Sequence, residues 1–155
     1  MATAAHLHLA PGSDALVEAA AEAMEAAGIA WTDLRAAIYS ELARAGRPVS
    51  AYDVSEFVSQ RLHRRIAANS VYRILDLFVR HNLAMRVESR NAYVANTHPG
   101  CRHGCVFLVC EGCGAIGHVD DDAAAAQVRD DAKAAGFTVR RTVIELLGLC
   151  QACNG

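Results

Sequence analysis

Two C-x-x-C pairs stand in the last third of the chain: Cys110 and Cys113 in VCEGCG, and Cys150 and Cys153 in GLCQAC, separated by a spacer of 36 residues. A pair of thiolates on a tight turn holds half of a tetrahedral site. Two pairs supply the four sulfurs of a closed all-cysteine zinc centre, in which no position is left open for a substrate. The alternative readings are two unrelated pairs of buried thiols, or a redox C-x-x-C motif; the duplication argues against the second. A further group of donors lies close by. Cys101, His103 and Cys105 alternate, so an extended backbone places them on one face. His98 precedes them across a Pro-Gly bend, and His118 follows the first knuckle. Sulfur and nitrogen donors converging in this way suit Zn(II), a borderline-soft ion. Cys105 reads equally well as a small apolar strand residue. His6, His8, His63 and His81 read as solvated histidines or neighbours of backbone groups.

The elements that must position these donors follow from hydrophobic period. DALVEAAAEAMEAAG (14–28) reads as a helix capped by Ser13 or Asp14 and ended by Gly28. TDLRAAIYSELARAG (32–46) carries Leu34, Ile38 and Leu42 one turn apart, opened by Thr32 and closed by Gly46. VSAYDVSEFVSQRLH (49–63) begins with a Ser50/Asp53 capping box and buries Val54, Phe57, Val58 and Leu62. NSVYRILDLFVRHN (69–82) sets Val71, Ile74, Leu75 and Phe78 on one side, with Arg73, Asp76 and Arg80 opposite. AMRVESRNAYVAN (84–96) alternates about a turn at ESRN and predicts a β-hairpin. Three helices followed by a hairpin outline a winged helix-turn-helix, whose third helix reads the DNA major groove while the hairpin serves as the wing.

Pro99, Gly100 and Gly104 interrupt the pattern. Beyond them the chain reads β-β-α-β: VFLVC, AIGHV, a helix over 120–136 and a strand from FTVRRTVIELLG delivering the chain to CQAC. The fold class expected is therefore α+β. A winged helix-turn-helix domain spans 1–95, a hinge 96–104, and an α/β domain 105–155.

Bulk properties bound the function. The 155 residues are 53% hydrophobic with a formal net charge of −2, enough to bury a core and too little charge for a global basic field. The charge is uneven: ten Arg face six acids between Ile29 and Ala95, against five basic and seven acidic residues from Asn96 onward. No apolar run approaches the roughly 20 residues of a membrane span, and the first residues lack the basic start of a signal peptide. All six cysteines lie after residue 100. That clustering in a reducing compartment reads as metal binding and points to a cytoplasmic protein without membrane partners. Enzymatic zinc chemistry needs an open coordination position and a general base. Glu111 and Asp120–Asp122 are nearby, yet no H-E-x-x-H or nucleophile elbow is present, so neither an enzyme nor a small-molecule substrate is expected.

Several stretches, taken in order, resemble the ferric uptake regulator family and, within it, the zinc uptake branch: SAYDV (50–54), SVYRILDLF (70–78), VESRNAYV (87–94), VCEGCGAI (109–116), GF (136–137) and VIELLGLCQAC (143–153). The resemblance covers roughly residues 15–153. It implies a homodimeric, zinc-responsive repressor binding palindromic operator DNA, with one structural and at least one regulatory zinc per subunit. By position, Cys110, Cys113, Cys150 and Cys153 match the structural ligands, and His103 matches a regulatory ligand. His118 falls where relatives carry an acidic ligand. Met85 and Asn96 replace a His and a Cys ligand, so Cys101 is expected to supply the missing thiolate and His98 to complete the set. Tyr52 resembles the family's base-contacting tyrosine. Arg73 and Arg80 are candidate base readers, since Arg is the usual donor to guanine. Arg61, Arg64 and Arg65 are candidate phosphate contacts or, equally, a solvated basic face. The alternatives are a family member sensing iron, manganese or peroxide, and a zinc-ribbon interaction module that does not bind DNA.

Overall fold

The computed structural model describes residues 14–97, 105–120 and 122–155, and the chain divides into two compact units, Met1–Cys101 and Arg102–Gly155. In the first, α1 (Asp14–Ala26), α2 (Asp33–Ala45), α3 (Ala51–Arg61) and α4 (Ala68–Arg80) precede an antiparallel hairpin of β1 (Ala84–Val87) and β2 (Ala92–Ala95). The caps predicted for α2 and α3 form. Thr32 Oγ1 accepts from the Arg35 amide, and Gly46 closes α2 at φ 58°. Ser50 and Asp53 make a reciprocal capping box at the start of α3, satisfying amides that the first turn leaves without partners. The hairpin turn is a short 3-10 segment, Glu88–Arg90, ended by Asn91 in the left-handed region. Val49 adds a single antiparallel bridge to Tyr93.

The helical stripes meet in one core. Leu16 and Met24 of α1, Ile38 and Leu42 of α2, Val54 and Val58 of α3, and Val71, Leu75 and Phe78 of α4 are fully buried or nearly so, with Leu83 and Tyr93. Burying each large apolar side chain contributes about 1.5–3 kcal/mol. Phe57, Leu62 and Ile74, expected in the core, are only half-buried; Leu62 and Ile74 pack at its margin. Trp31, Tyr39 and Phe78 form a ring cluster, with Tyr39 and Phe78 edge-to-face at 5.3 Å. The Tyr39 hydroxyl donates to the Leu83 carbonyl at 3.2 Å, tying α2 to the start of the hairpin. Arg44 binds Glu41 through two bonds of 2.8 and 3.0 Å and lies 4.6 Å over the Phe57 ring, bracing α2 against α3.

In the second unit β3 (Cys105–Cys110) lies between β4 (Ile116–Asp120), antiparallel, and β5 (Ile144–Gly148), parallel. Helix α5 (Asp122–Ala134) connects β4 to β5. It ends in a Schellman motif: the Phe137 amide bonds the Ala132 carbonyl, the Gly136 amide bonds the Lys133 carbonyl, and Gly136 takes φ 78°. Two expectations are corrected here. The last strand spans only Ile144–Gly148, not 137–148. The parallel ladder with β3 begins at the pair Val106 and Ile144, and a strand needs such a partner to satisfy its backbone groups. The helix begins at Asp122, not 120, because Asp120 is paired with Cys105 in the sheet.

Candidate metal centre and winged-helix face

The first cysteine pair sits on the turn between β3 and β4. Cys110 ends β3; its amide bonds the Ala115 carbonyl and its carbonyl accepts from Gly114. The second pair follows β5 directly, where Cys153 and Asn154 both donate to the Cys150 carbonyl. Because β5 runs parallel to β3, with Cys110 beside Gly148, the ends of both strands point the same way and the two turns meet. The Glu111 amide donates to the Gly148 carbonyl at 2.8 Å and fastens them.

All four sulfurs fall within 4.8 Å of one another, and Cys113 and Cys150 are 3.7 Å apart. That is far beyond a disulfide of about 2.05 Å. It matches the separation of about 3.8 Å that tetrahedral thiolates adopt around zinc at about 2.3 Å. The donors therefore fit a four-coordinate thiolate site. Amide groups of Cys113 and then Cys150 hold the Cys110 thiol down at about 6, the latter through a bond of 3.3 Å. Hydrogen bonds to Cys113 and then Cys150 and Cys110 push Cys153 up to about 12. A metal binds these sulfurs as thiolates, so its binding would release the protons they hold. Gly112 is the spacer that permits this closeness. A Cβ there would stand 3.1 Å from both Cβ and Sγ of Cys153 and 3.4 Å from Leu149.

Of the other predicted donors, His98, Cys101 and His103 lie outside the described residues. His118 lies at the middle of β4, not at its end, opposite Phe107 in the ladder. Among the described residues the four cysteines are the one cluster able to hold a metal. Asn96 is buried, its side-chain amide donates to the Asn82 carbonyl at 2.7 Å, and its backbone amide donates to Leu83. This side chain therefore serves the closure of α4, where Asn82 turns left-handed.

On the first unit Arg61, Arg64, Arg65, Arg73 and Arg80 are all exposed. Arg73 and Arg80 are seven residues apart on α4, two turns, and so share a face. Tyr52 is 67% exposed, yet its ring meets that of Tyr72 edge-to-face at 6.1 Å, so the start of α3 stands beside the residue preceding Arg73. Sequence reasoning missed what supports this face. The Tyr93 hydroxyl donates to Asp76 at 3.1 Å; burial and then the Asp76 carboxylate push it up to about 12. Tyr72 packs on Tyr93. Arg86 donates to Asn91 at 3.0 Å and lies 5.7 Å over Tyr93, while the Asn91 amide reaches the Tyr72 hydroxyl at 3.5 Å. The hairpin is thereby braced on α4. The signal was present in the sequence: Tyr72 and Asp76 are one helical turn apart, and Asn91 and Tyr93 alternate in the hairpin.

A winged helix and a small α/β unit carrying a candidate four-cysteine metal centre define the class of this protein. The profile of the Ferric uptake regulator family matches residues 26–147. The chain belongs to that family, and the relatives and solved structures it matches at 26% identity or more are zinc uptake regulators. The zinc uptake regulation protein of Escherichia coli (strain K12) is 30% identical over 106 residues, covering 68% of this chain and 61% of the relative; the Shigella flexneri protein of that name matches equally. The matched region spans less than two thirds of the length of these relatives. A zinc uptake regulator complexed with zinc and DNA superposes with a TM-score of 0.83 at 26% identity, over 90% of this chain and 93% of that one. The crystal structure of holo XcZur gives 0.80 at 32% identity, over 92% and 99%.

Proposed function

We propose that this chain is a zinc-responsive transcriptional repressor that binds palindromic operator DNA as a homodimer, without enzymatic activity, in the cytoplasm. The observation that carries the proposal is α4, on which Arg73 and Arg80 are exposed, Tyr72 meets the ring of Tyr52, and the Tyr72–Asp76–Tyr93 brace holds the hairpin. A buried frame under exposed guanidinium groups is how a recognition helix offers donors to base edges. Arg61 at the end of α3, and Arg64 and Arg65 in the turn before α4, are the proposed phosphate contacts. The likeness to a regulator complexed with zinc and DNA supports the same reading. No helix among the described residues is long and apolar enough to cross a membrane.

In this reading, Cys110, Cys113, Cys150 and Cys153 hold a structural zinc that joins the two strand ends. Cys101, His103 and His118, with His98, hold a regulatory zinc. Asn96 is engaged with Asn82 and Met85 is not a strong donor, so Cys101 is the thiolate of that second set. The zinc there supplies a positive charge and a fixed geometry that the protein uses to arrange its winged helices. Coupling is reciprocal: operator DNA raises zinc affinity by the factor by which zinc raises DNA affinity. Homodimerisation is supported by the second unit, where Leu108, Val119 and Leu146 share one sheet face and are 41–55% exposed. Leu147 and Leu149 are similarly exposed on and after β5, an edge strand.

The test is a selection of duplexes from a random pool by the purified protein with zinc, iron(II), manganese(II) or chelator. Enrichment of a palindrome with zinc alone supports the proposal. Enrichment with iron or manganese alone assigns a different sensed metal, and equal binding after chelation overturns metal control. On the selected duplex Arg73→Ala should cost about 1–3 kcal/mol and relax one base position. Cys101→Ser should weaken the second zinc and zinc-dependent DNA binding together; unchanged values remove Cys101 from the site.

A further inference from the structure

We infer that Ser55 and Ser59 are positioning residues for DNA reading: a two-hydroxyl clamp on Ile66 that aims α4. The inference rests on the reading of α4 as the recognition helix. Ser55 and Ser59 are one helical turn apart on α3 and so lie on one face. The Ser59 hydroxyl accepts the Ile66 amide at 2.9 Å and donates to the Ser55 carbonyl at 2.6 Å. The Ser55 hydroxyl donates to the Ile66 carbonyl at 2.6 Å. Both backbone groups of one residue are thus held by neighbouring side chains of the preceding helix. The Ile66 side chain is itself buried.

Ile66 is where such a clamp has leverage. It stands immediately before Ala67, the N-cap of α4, which offers no side-chain cap. Helix α4 therefore begins without the local anchor that Thr32 and Ser50 give α2 and α3. The turn before it contains His63 at φ 50°, and the Arg64 amide bonds the Ser59 carbonyl at 3.2 Å. Ser59 accordingly holds the turn at Arg64 through its backbone and at Ile66 through its side chain. Arg64 is one of those points and Arg65 sits between them, and Arg73 is the sixth residue of the helix that follows. Candidate phosphate contacts and base readers share one frame, and that frame is fastened to α3 by two hydroxyls.

Removing the hydroxyls leaves the apolar seat of α4 intact, because Val71, Leu75 and Phe78 remain buried. What is lost is the fixed setting of the Ile66 peptide groups, which then need water as partners. A contact constellation needs its groups held within about 0.5 Å and 10–20°. Sequence-specific binding should therefore suffer more than binding to any duplex.

The experiment uses the full chain with zinc, the duplex selected by the wild type, and an unrelated duplex of equal length. Ser59→Ala should lower the ratio of specific to non-specific affinity about tenfold, comparable to losing one base contact. Ser55→Ala should lower it less, and Ser59→Thr, which keeps the hydroxyl, should restore it. A uniform fall on both duplexes, or a ratio unchanged by both alanine substitutions, overturns the clamp. If Ser59→Ala does not fold, Ser55→Ala carries the comparison, since Ser59 still satisfies the Ile66 amide. Hydrogen exchange separates this inference from the reading beneath it. The Ile66 amide should exchange slowly in the wild type and quickly in Ser59→Ala, whether or not a duplex is selected. Fast exchange in the wild type removes the clamp, whereas failure to select any duplex removes the DNA reading alone.

Discussion

The two units reach stability by different means. The first buries Leu16, Met24, Ile38, Leu42, Leu75, Phe78, Leu83 and Tyr93 completely, drawn from four helices and a hairpin. Among the described residues of the second, only Val106, Phe107, Val109, Cys110 and Ala125 are buried. Eight of its large apolar side chains, from Leu108 to Leu149, are exposed, against Tyr52 alone among the described residues of the first unit. A unit of 54 residues falls in the size range where a hydrophobic core alone is marginal. In the proposed reading, a metal held by the four sulfurs beyond the ends of β3 and β5 answers that shortage, and the exposed leucines take a second copy. The first unit is specified by burial; the second, in the proposed reading, depends on ligand geometry as well.

Metal removal should break this comparison most visibly. Structural zinc sites contribute about 10–16 kcal/mol in small zinc-dependent peptides. Chelation under reducing conditions, or Cys150→Ser, should therefore unfold residues 105–155 while leaving the first unit's amide resonances in place. Survival of both sets of resonances would show that the second unit folds without metal. Next in size, Phe78→Ala should destabilise the first unit by about 3–5 kcal/mol. Trp31, 6.0 Å from Phe78 and the chain's single tryptophan, reports this by fluorescence, and bound zinc should not change. Smaller again is Gly112→Ala. The added methyl meets Cys153, and overpacking at a ligand should cost about 1–3 kcal/mol of zinc binding, read by competition with a chromophoric chelator. An unchanged affinity would mean that the knuckle yields.

The smallest effect concerns pH in the first unit. The Tyr93 hydroxyl lies at about 12, raised from an ordinary 10. Its contribution is therefore complete below pH 10 and is lost as pH rises through 12. The thermal midpoint should fall over that window, and Tyr93→Phe should reduce the slope. Tyr39, raised by burial, acts in the same direction. A slope unaffected by Tyr93→Phe would assign the alkaline loss elsewhere.

Much of this architecture is legible in residue order. Thr32, Ser50 and Asp53 announce their helices because capping is local chemistry. The stripes Ile38–Leu42 and Val71–Leu75–Phe78 announce their buried faces because helical period is local geometry. The two C-x-x-C pairs name a four-sulfur site because each pair is a complete half-site. Length of pairing is not local. The segment FTVRRTV carries strand-forming residues, but β5 begins only at Ile144, where β3 supplies a partner. Nor do Ser55 and Ser59 show in sequence as anything but helix-surface serines, since their partner Ile66 reaches them only after the chain turns.

Sequence alone determined which residues cap, which stripes seek a core, and which sulfurs are paired along the chain, because each depends on spacings of a few residues. Tertiary structure decided that the parallel run of β3 and β5 brings sulfurs 40 positions apart to one point. It also decided that Asn96 is occupied with Asn82, and that two hydroxyls of α3 fix the start of α4. Those outcomes depend on distances across the fold, and only packing sets them.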